Sequence, residues 1–451
     1  MRSKYAFYLL CFIIFFSPIP LGANRPWAWG LIEVLICINT LLVCYSYSFN
    51  TIFEQLKKVK VILGLLFFVQ IWVFLQWLGS FSPTLSPLLS LDPSQTEIAL
   101  IKGITFCLFI INLAVLVNKQ QRIKVLCWTI LFSGLFQALY AIFLQYSGWK
   151  TSLLDLNISG RASGSFVYWN HLANYLLLCL SLSIGLLVGS LTGVEVKKSS
   201  HRQKLATIID ALLSPKWIVR ICIIIMVVAL IMTRSRMGNS AFFISLLITS
   251  LVALIIMKRP PNTLKWLIAS LVILDLIIVG TYFGVEKVKE RLQATSFQAE
   301  TRDDVVRDSI PYIKDKWLLG SGAGSFYSTF LQYQSTEYQA FYDHAHNEYV
   351  QFTAELGLIP SLLLFALVIA VMWRCLKILR LSYNKLNQGL AIGCLMACIG
   401  MIMHSSVDFV LQNFSIVLVY LTILSIPNLL IKHQSKKNIV FDSSSKLKEV
   451  M

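Results

Sequence analysis

Apolar runs about as long as a bilayer is thick alternate with short polar connections along this chain, and that pattern leaves few folds open. About 20 consecutive apolar residues cross the hydrocarbon core. By that measure the spans fall at roughly 5–22, 27–49, 60–80, 97–117, 124–147, 171–191, 216–233, 237–257, 264–283, 358–376, 388–409 and 411–431. Uninterrupted runs of this kind satisfy their backbone polar groups in lipid as helices. The expectation is therefore an all-α polytopic membrane protein with about twelve transmembrane helices. The composition agrees, with 57% hydrophobic and 14% charged residues, against about a quarter charged in a soluble domain. Leu21-Gly22-Ala23 lacks the small residue wanted two positions before a cleavage-site Ala, so the first run reads as a retained span.

The formal net charge of +17 could suggest nucleic acid, but the basic residues sit in short clusters between apolar runs. Most of them fall in 50–59, 118–123, 192–215, 258–263, 377–387 and the two termini. The positive-inside rule makes those segments cytoplasmic and the remaining connections outer. Only one outer connection, 284–346, is long enough to form a subdomain. The chain thus divides into spans one to nine (1–283), a large outer loop (284–346), a helix with spans ten to twelve (347–431), and a cytoplasmic tail (432–451). Lys204 to Leu213 is amphipathic and basic and is expected along the cytoplasmic face, while Pro260-Pro261 makes a tight inner turn. None of the ten cysteines lies in an outer connection and no CxxC occurs, so neither a disulfide framework nor a zinc site is expected.

Polar weight collects on the outer side. Asp343-His344-Ala345-His346-Asn347-Glu348 closes the large loop, and Glu355 follows one helical stretch later. An imidazole titrates near 6.5, which suits a general base. On one continuous helix His344 and His346 would point about 200° apart, so both serve one site equally only if the helix begins between them. Asp343 and Glu348 are candidate orienters of His346. Arg234 and Arg236 interrupt an apolar stretch, and an arginine at mid-bilayer costs about 2.5–3.5 kcal/mol. They therefore mark a tight outer turn or a polar cavity, and a fixed guanidinium there suits an anion such as phosphate. Arg302 and Arg307 lie on a polar piece, Arg302 to Ile313, expected as a short helix interrupted at Pro311. Gly320-Ser321-Gly322-Ala323-Gly324 is a turn that lets backbone approach a neighbour or ligand, with no strand–helix context for a nucleotide fold.

In order along the chain, several short elements resemble the O-antigen ligase and O-antigen polymerase superfamily, including pilin-type O-oligosaccharyltransferases. They are Gly160-Arg161-Ala162-Ser163-Gly164 with Asn170-His171; Thr233-Arg234-Ser235-Arg236-Met237-Gly238; Arg302 followed by Gly320 to Phe326; His344 to Glu348 with Glu355-Leu356-Gly357; and His404 to Asp408. The resemblance implies a bacterial inner-membrane glycosyltransferase, with both termini cytoplasmic and the site periplasmic, working without metal or other cofactor. Its donor would be glycan on undecaprenyl diphosphate, and its acceptor lipid A–core, another glycan or a protein. The family's arginine before Gly falls on Arg236, its loop arginine most naturally on Arg302, and its histidine before Asn on His346. Val305-Val306 stands where the family often has Ile-Trp, which leaves Arg302 and Arg307 both open for the loop position.

Chemically, Arg236 and Arg302 would stabilise the diphosphate leaving group, with Arg234, Arg161 or Arg307 as helpers, and His346 would deprotonate the acceptor hydroxyl. Asn347, Glu348, His344 and Asn170 complete the expected substrate contacts. In-line attack would invert the anomeric carbon. The late loop looks closest to the ligase branch, with polymerase and protein glycosylation as alternatives. A lipid-linked glycan transporter is the reading from another class, but it needs polar groups through the spans. There the ionisable residues are few: Glu33, Lys102, Asp275, and His404 with Asp408 near an outer end.

Overall fold

The computed structural model describes residues 2–82, 89–158, 160–190, 215–258, 302–335 and 342–430. Over these residues the fold is all-helical, and its one β feature among them is an isolated bridge between Thr151 and Asn157. The helices are α1 (Arg2–Phe16), α2 (Pro26–Ser46), α3 (Phe49–Leu56), α4 (Lys60–Gly79), α5 (Pro93–Leu116), α6 (Gln120–Tyr146), α7 (Trp169–Ser190), α8 (Pro215–Met232) and α9 (Arg236–Ile256). After them come α10 (Arg302–Lys316), α11 (Glu348–Leu356), α12 (Leu358–Leu381), α13 (Lys385–Ser405) and α14 (Phe414–Leu430). Among the described residues, eight helices are long and apolar enough to cross a membrane: α2, α4 to α7, α9, α12 and α13. The shorter α1 and α14 are also apolar. The expected ninth span, Asp275 within it, the amphipathic 204–213 segment, the Pro260-Pro261 turn and the tail after 432 lie outside the described residues.

α7 is the axis of the bundle, buried along nearly its whole length, and α13 runs against it. Two pairs of glycines spaced four apart set that contact. A Cβ on Gly185 would lie 2.5 Å from the Gly389 carbonyl oxygen, and one on Gly393 would lie 2.6 Å from that of Ser181. Only glycine allows backbones so close, the small-residue packing that membrane helices use where burial of apolar surface gives no drive. Both helices end in polar residues at the same end of the bundle, with Asn174 and His404 joined at 3.1 Å.

The connections expected on the outer face share that end. The Ser165 hydroxyl donates to the Pro18 carbonyl at 2.6 Å, the Ala162 amide to Met232 at 3.1 Å, and the Leu91 amide to Ser321 at 2.8 Å. At the other end, Arg122 donates to the Leu116 carbonyl at 2.7 Å and stacks over Phe7. The first helix is shorter than its apolar run. It stops at Phe16, before Pro18 and Pro20, and the chain turns through left-handed Leu21, Gly22 and Ala23.

Residues 302–335 and 342–356 form a small helical unit whose core is Val305, Tyr312, Phe326, Phe330, Ala345 and Ala354. The expected break at Pro311 does not occur, because α10 runs through it to Lys316. An interior proline costs about 3 kcal/mol. Here it is flanked by fully buried Val305 and Tyr312, whose packing holds the helix on course.

Candidate functional site

The site grows from the chain that leaves α13. After Ser405 the backbone turns through Asp408 and Phe409 into a short 3-10 turn at Val410–Gln412, and the Asn413 side chain opens α14 by accepting from the Ile416 amide. Asp408 is 1% exposed. Its Oδ1 accepts from the Phe409 amide at 2.9 Å and its Oδ2 from the Asn170 side-chain amide at 2.5 Å. His346 Nδ1 lies 3.7 Å from Oδ1, an ion-pair separation just beyond hydrogen-bond length. Burial raises the carboxyl's pKa, but the imidazoles of His346, His404 and His171 and the Phe409 amide outweigh it and hold Asp408 at about 2. These contacts favour its charged form.

His346 adopts φ +50°, a left-handed conformation that costs a residue with a Cβ roughly 1–2 kcal/mol. Such strain persists where the surroundings over-determine it, and it clusters at functional sites. What fixes it is the next residue: Asn347 caps α11, its Oδ1 accepting from the Tyr349 and Val350 amides at 3.0 and 3.2 Å. The helix therefore starts at Glu348, and the two histidines precede it. Both reach the ring of Phe409, His344 stacked at 4.4 Å and His346 edge-on at 4.8 Å between centroids. His171 and Tyr168 pack on the same ring. His346 retains 14% side-chain exposure against 1% for Asp408, so the imidazole bridges a buried anion and the open side. Burial pushes His344 down to about 4; it is neutral, with Nδ1 3.1 Å from the Gln351 amide nitrogen.

Glu348 turns away from His346 and accepts from the Leu411 amide at 2.5 Å and the Gln412 side chain at 2.9 Å. It straps α11 to the turn that carries Asp408, and burial pushes it up to about 8. Glu355 accepts from the amides of Gly324 and Phe326 at 3.0 and 3.2 Å and from Gln351 at 3.1 Å. Burial raises it to about 7. The glycine-rich loop, with Gly320, Gly322 and Gly324 all at positive φ, thus offers these amide donors to a carboxylate of the fold rather than to a ligand.

Arg234 and Arg236 occupy a tight turn, the first of the two alternatives the sequence left open. Arg234 is left-handed at φ +52°, Ser235 caps α9 by accepting from Gly238 at 3.1 Å, and both arginines are exposed. The Ala162–Met232 bond brings exposed Arg161 to the same rim, its guanidinium 4.6 Å over the Trp169 ring. Trp169 packs on Tyr168, and Tyr168 stacks on Phe409 at 5.6 Å. A continuous line of rings thus connects this basic rim to His346. Arg302 is the first residue of α10, one turn ahead of buried Val305. Arg307 is exposed and pairs with Asp304 at 3.1 Å and Asp308 at 3.6 Å on its own helix.

Beside His344 opens a cavity of about 490 Å³, walled by α2, α5, α11, the glycine-rich loop and Gln412. Of the residues expected to form one site, the structure gathers His344, His346, Asn170 and Glu348 around Asp408 and Phe409, and Arg161 with Arg234 and Arg236 on the adjoining rim. Asp408 as the partner of His346, Phe409 as the hub and Gln351 as the link between His344 and Glu355 were not expected. The available signal was a carboxylate and a histidine, Asp408 and His404, at the outer end of an apolar run.

A family model described as O-antigen ligase matches residues 221–366. The match covers about a third of the chain and takes in Arg234, Arg236, Arg302, Arg307, both loop histidines and Glu355, so this segment is similar to the O-antigen ligase family. No curated protein matches the chain.

Proposed function

We propose that this protein transfers glycan from undecaprenyl diphosphate to an acceptor hydroxyl, with His346 as general base and Asp408 as the residue that positions it. The observation that carries the reading is the buried carboxyl of Asp408 facing Nδ1 of a partly exposed histidine at 3.7 Å. An anion at Nδ1 favours the tautomer with the proton there and leaves Nε2 free to accept one, and it stabilises the imidazolium that forms. Asn170 holds the other carboxylate oxygen in place.

In the transfer, the acceptor oxygen gives its proton to Nε2 of His346 and forms a bond to the anomeric carbon. The bond from that carbon to the diphosphate oxygen breaks, and its electron pair leaves on undecaprenyl diphosphate. Attack in line with departure inverts the anomeric centre. Charge grows on the diphosphate, so fixed cations at a partly dry site lower the barrier. Arg236 fills that role with Arg234 and Arg161 on the same rim, together with Arg302. Arg307 already pairs with two carboxylates, which favours Arg302 as the loop ligand.

Within the superfamily, the late loop favours ligation of O-antigen to lipid A–core, on the periplasmic side of a bacterial inner membrane with both termini cytoplasmic. A deletion strain tests the acceptor. Lipopolysaccharide reduced to core alone supports ligase, and core plus one repeat identifies a polymerase. Unchanged lipopolysaccharide with a lost exopolysaccharide or glycoprotein identifies another branch.

A further inference from the structure

Lys102 sits within α5, one of the apolar helices long enough to span a membrane, and it lines the cavity beside His344. A lysine in such a segment is expensive and marks a functional site by default. Among the described residues its ammonium is met by a ring face, 4.7 Å from the centroid of Trp29, rather than by a hydrogen-bond acceptor. Glu33 adds its charge to the surroundings, but its Oε1 is buried with no hydrogen-bond partner. Lys102 is thus a cation with unused donors aimed into a void.

The rest of that void has a different character. Carboxylates come from Asp343 and Glu355, side-chain amides from Asn24, Gln95 and Gln412, and ring faces from Trp29 and Tyr327, while the Gln351 amide is already engaged by His344, Glu355 and Ala345. Amides match hydroxyls as donors and acceptors at once, and aromatic faces take the apolar face of a sugar ring. A volume of about 490 Å³ lies in the range of about 300–1,000 Å³ for small-molecule sites. Arg161, Arg234 and Arg236, assigned above to the diphosphate, do not line it, whereas His344 does. The cavity therefore approaches the imidazole pair from a side that the donor's phosphates do not need.

We propose that this cavity is the acceptor subsite, that it binds a saccharide bearing an anionic substituent such as a phosphate or carboxylate, and that Lys102 holds that substituent. The proposal rests on the reading of His346 as the base, because an acceptor hydroxyl must come within reach of it. The charge on Lys102 selects the acceptor, and the amides and rings orient it.

Binding tests this without turnover. The purified full-length protein in detergent is titrated with glucose 6-phosphate, glucose and inorganic phosphate. Glucose 6-phosphate is expected to bind about tenfold or more tighter than glucose, the scale of one charge-assisted hydrogen bond, and tighter than phosphate alone. Lys102→Met should erase the preference over glucose, and Lys102→Arg should restore it. Ala99→Phe, which fills the cavity without touching its charge, should weaken both sugars together. Equal binding of glucose and its phosphate, phosphate binding as well as the sugar phosphate, or a preference that survives Lys102→Met would overturn the subsite. A His346→Ala protein that still transferred glycan would instead sink the base assignment, so the two failures are told apart.

Discussion

His346 and Asp408 come from segments on either side of α12 and α13, yet Nδ1 of one lies 3.7 Å from Oδ1 of the other. The pairing depends on two local devices. Asn347 starts α11 after the histidine instead of before it, and Glu348 ties that helix to the turn behind Asp408. A change to Asp408 should therefore act on chemistry more than on folding.

Asp408→Asn keeps the shape but removes the anion. Loss of the corresponding carboxylate in a serine-protease triad lowers turnover about 10⁴-fold. A drop of about 10²–10⁴ in kcat is expected here, with donor KM little changed, measured as glycan transfer in proteoliposomes. An equal drop in donor affinity would point to a binding role instead.

The two buried glutamates make stability fall as pH rises. Glu348 is raised to about 8 and Glu355 to about 7, in both cases chiefly by burial. A raised carboxyl stabilises the fold fully below its unfolded pKa, near 4.3, and loses that contribution as pH climbs through the folded value. The melting temperature in detergent should decline between about pH 4.5 and 8 and then level off. Glu348→Gln should flatten the upper part of that decline, and an unchanged slope would contradict the burial argument.

How much of this was legible in the sequence follows from how far apart the interacting residues are. Among the described residues the apolar runs announced helices, eight of them long and apolar enough to cross a membrane, because length and hydropathy are local properties. The tight turn at Arg234 was one of the two readings that the cost of arginine in lipid left open. The pairing of His346 with Asp408 was invisible, since nothing near either residue names the other. Glu348 looked like an orienter by proximity, but it is bonded to Leu411 and Gln412 instead. Pro311 looked like a break, and tertiary packing of Val305 and Tyr312 overrode it.

The glycine-rich loop gives a stability test. Gly322 has φ +106°, and a Cβ there would collide with the Ser90 hydroxyl. Gly322→Ala combines an unfavourable backbone with overpacking, and about 2–4 kcal/mol of destabilisation is expected. Melting temperature and yield report it. A wild-type melting curve would mean the loop is free to move off α5.

The loop arginines should separate cleanly. Arg307 is committed to Asp304 and Asp308, and exposed pairs of this kind contribute about 0–1 kcal/mol. Arg307→Gln should keep transfer within a fewfold of the parent, while Arg302→Gln should lose about 10²–10³, the scale of one preorganised transition-state donor. The reverse order would move the phosphate ligand to Arg307.

The most direct test of the mechanism is transfer by His346→Ala in proteoliposomes loaded with undecaprenyl-diphosphate-linked glycan and acceptor, alongside donor binding to the same protein. The account predicts transfer reduced about 10²–10⁴-fold, the contribution of a positioned general base, with donor binding intact. Transfer at the parental rate by a folded His346→Ala protein would contradict it.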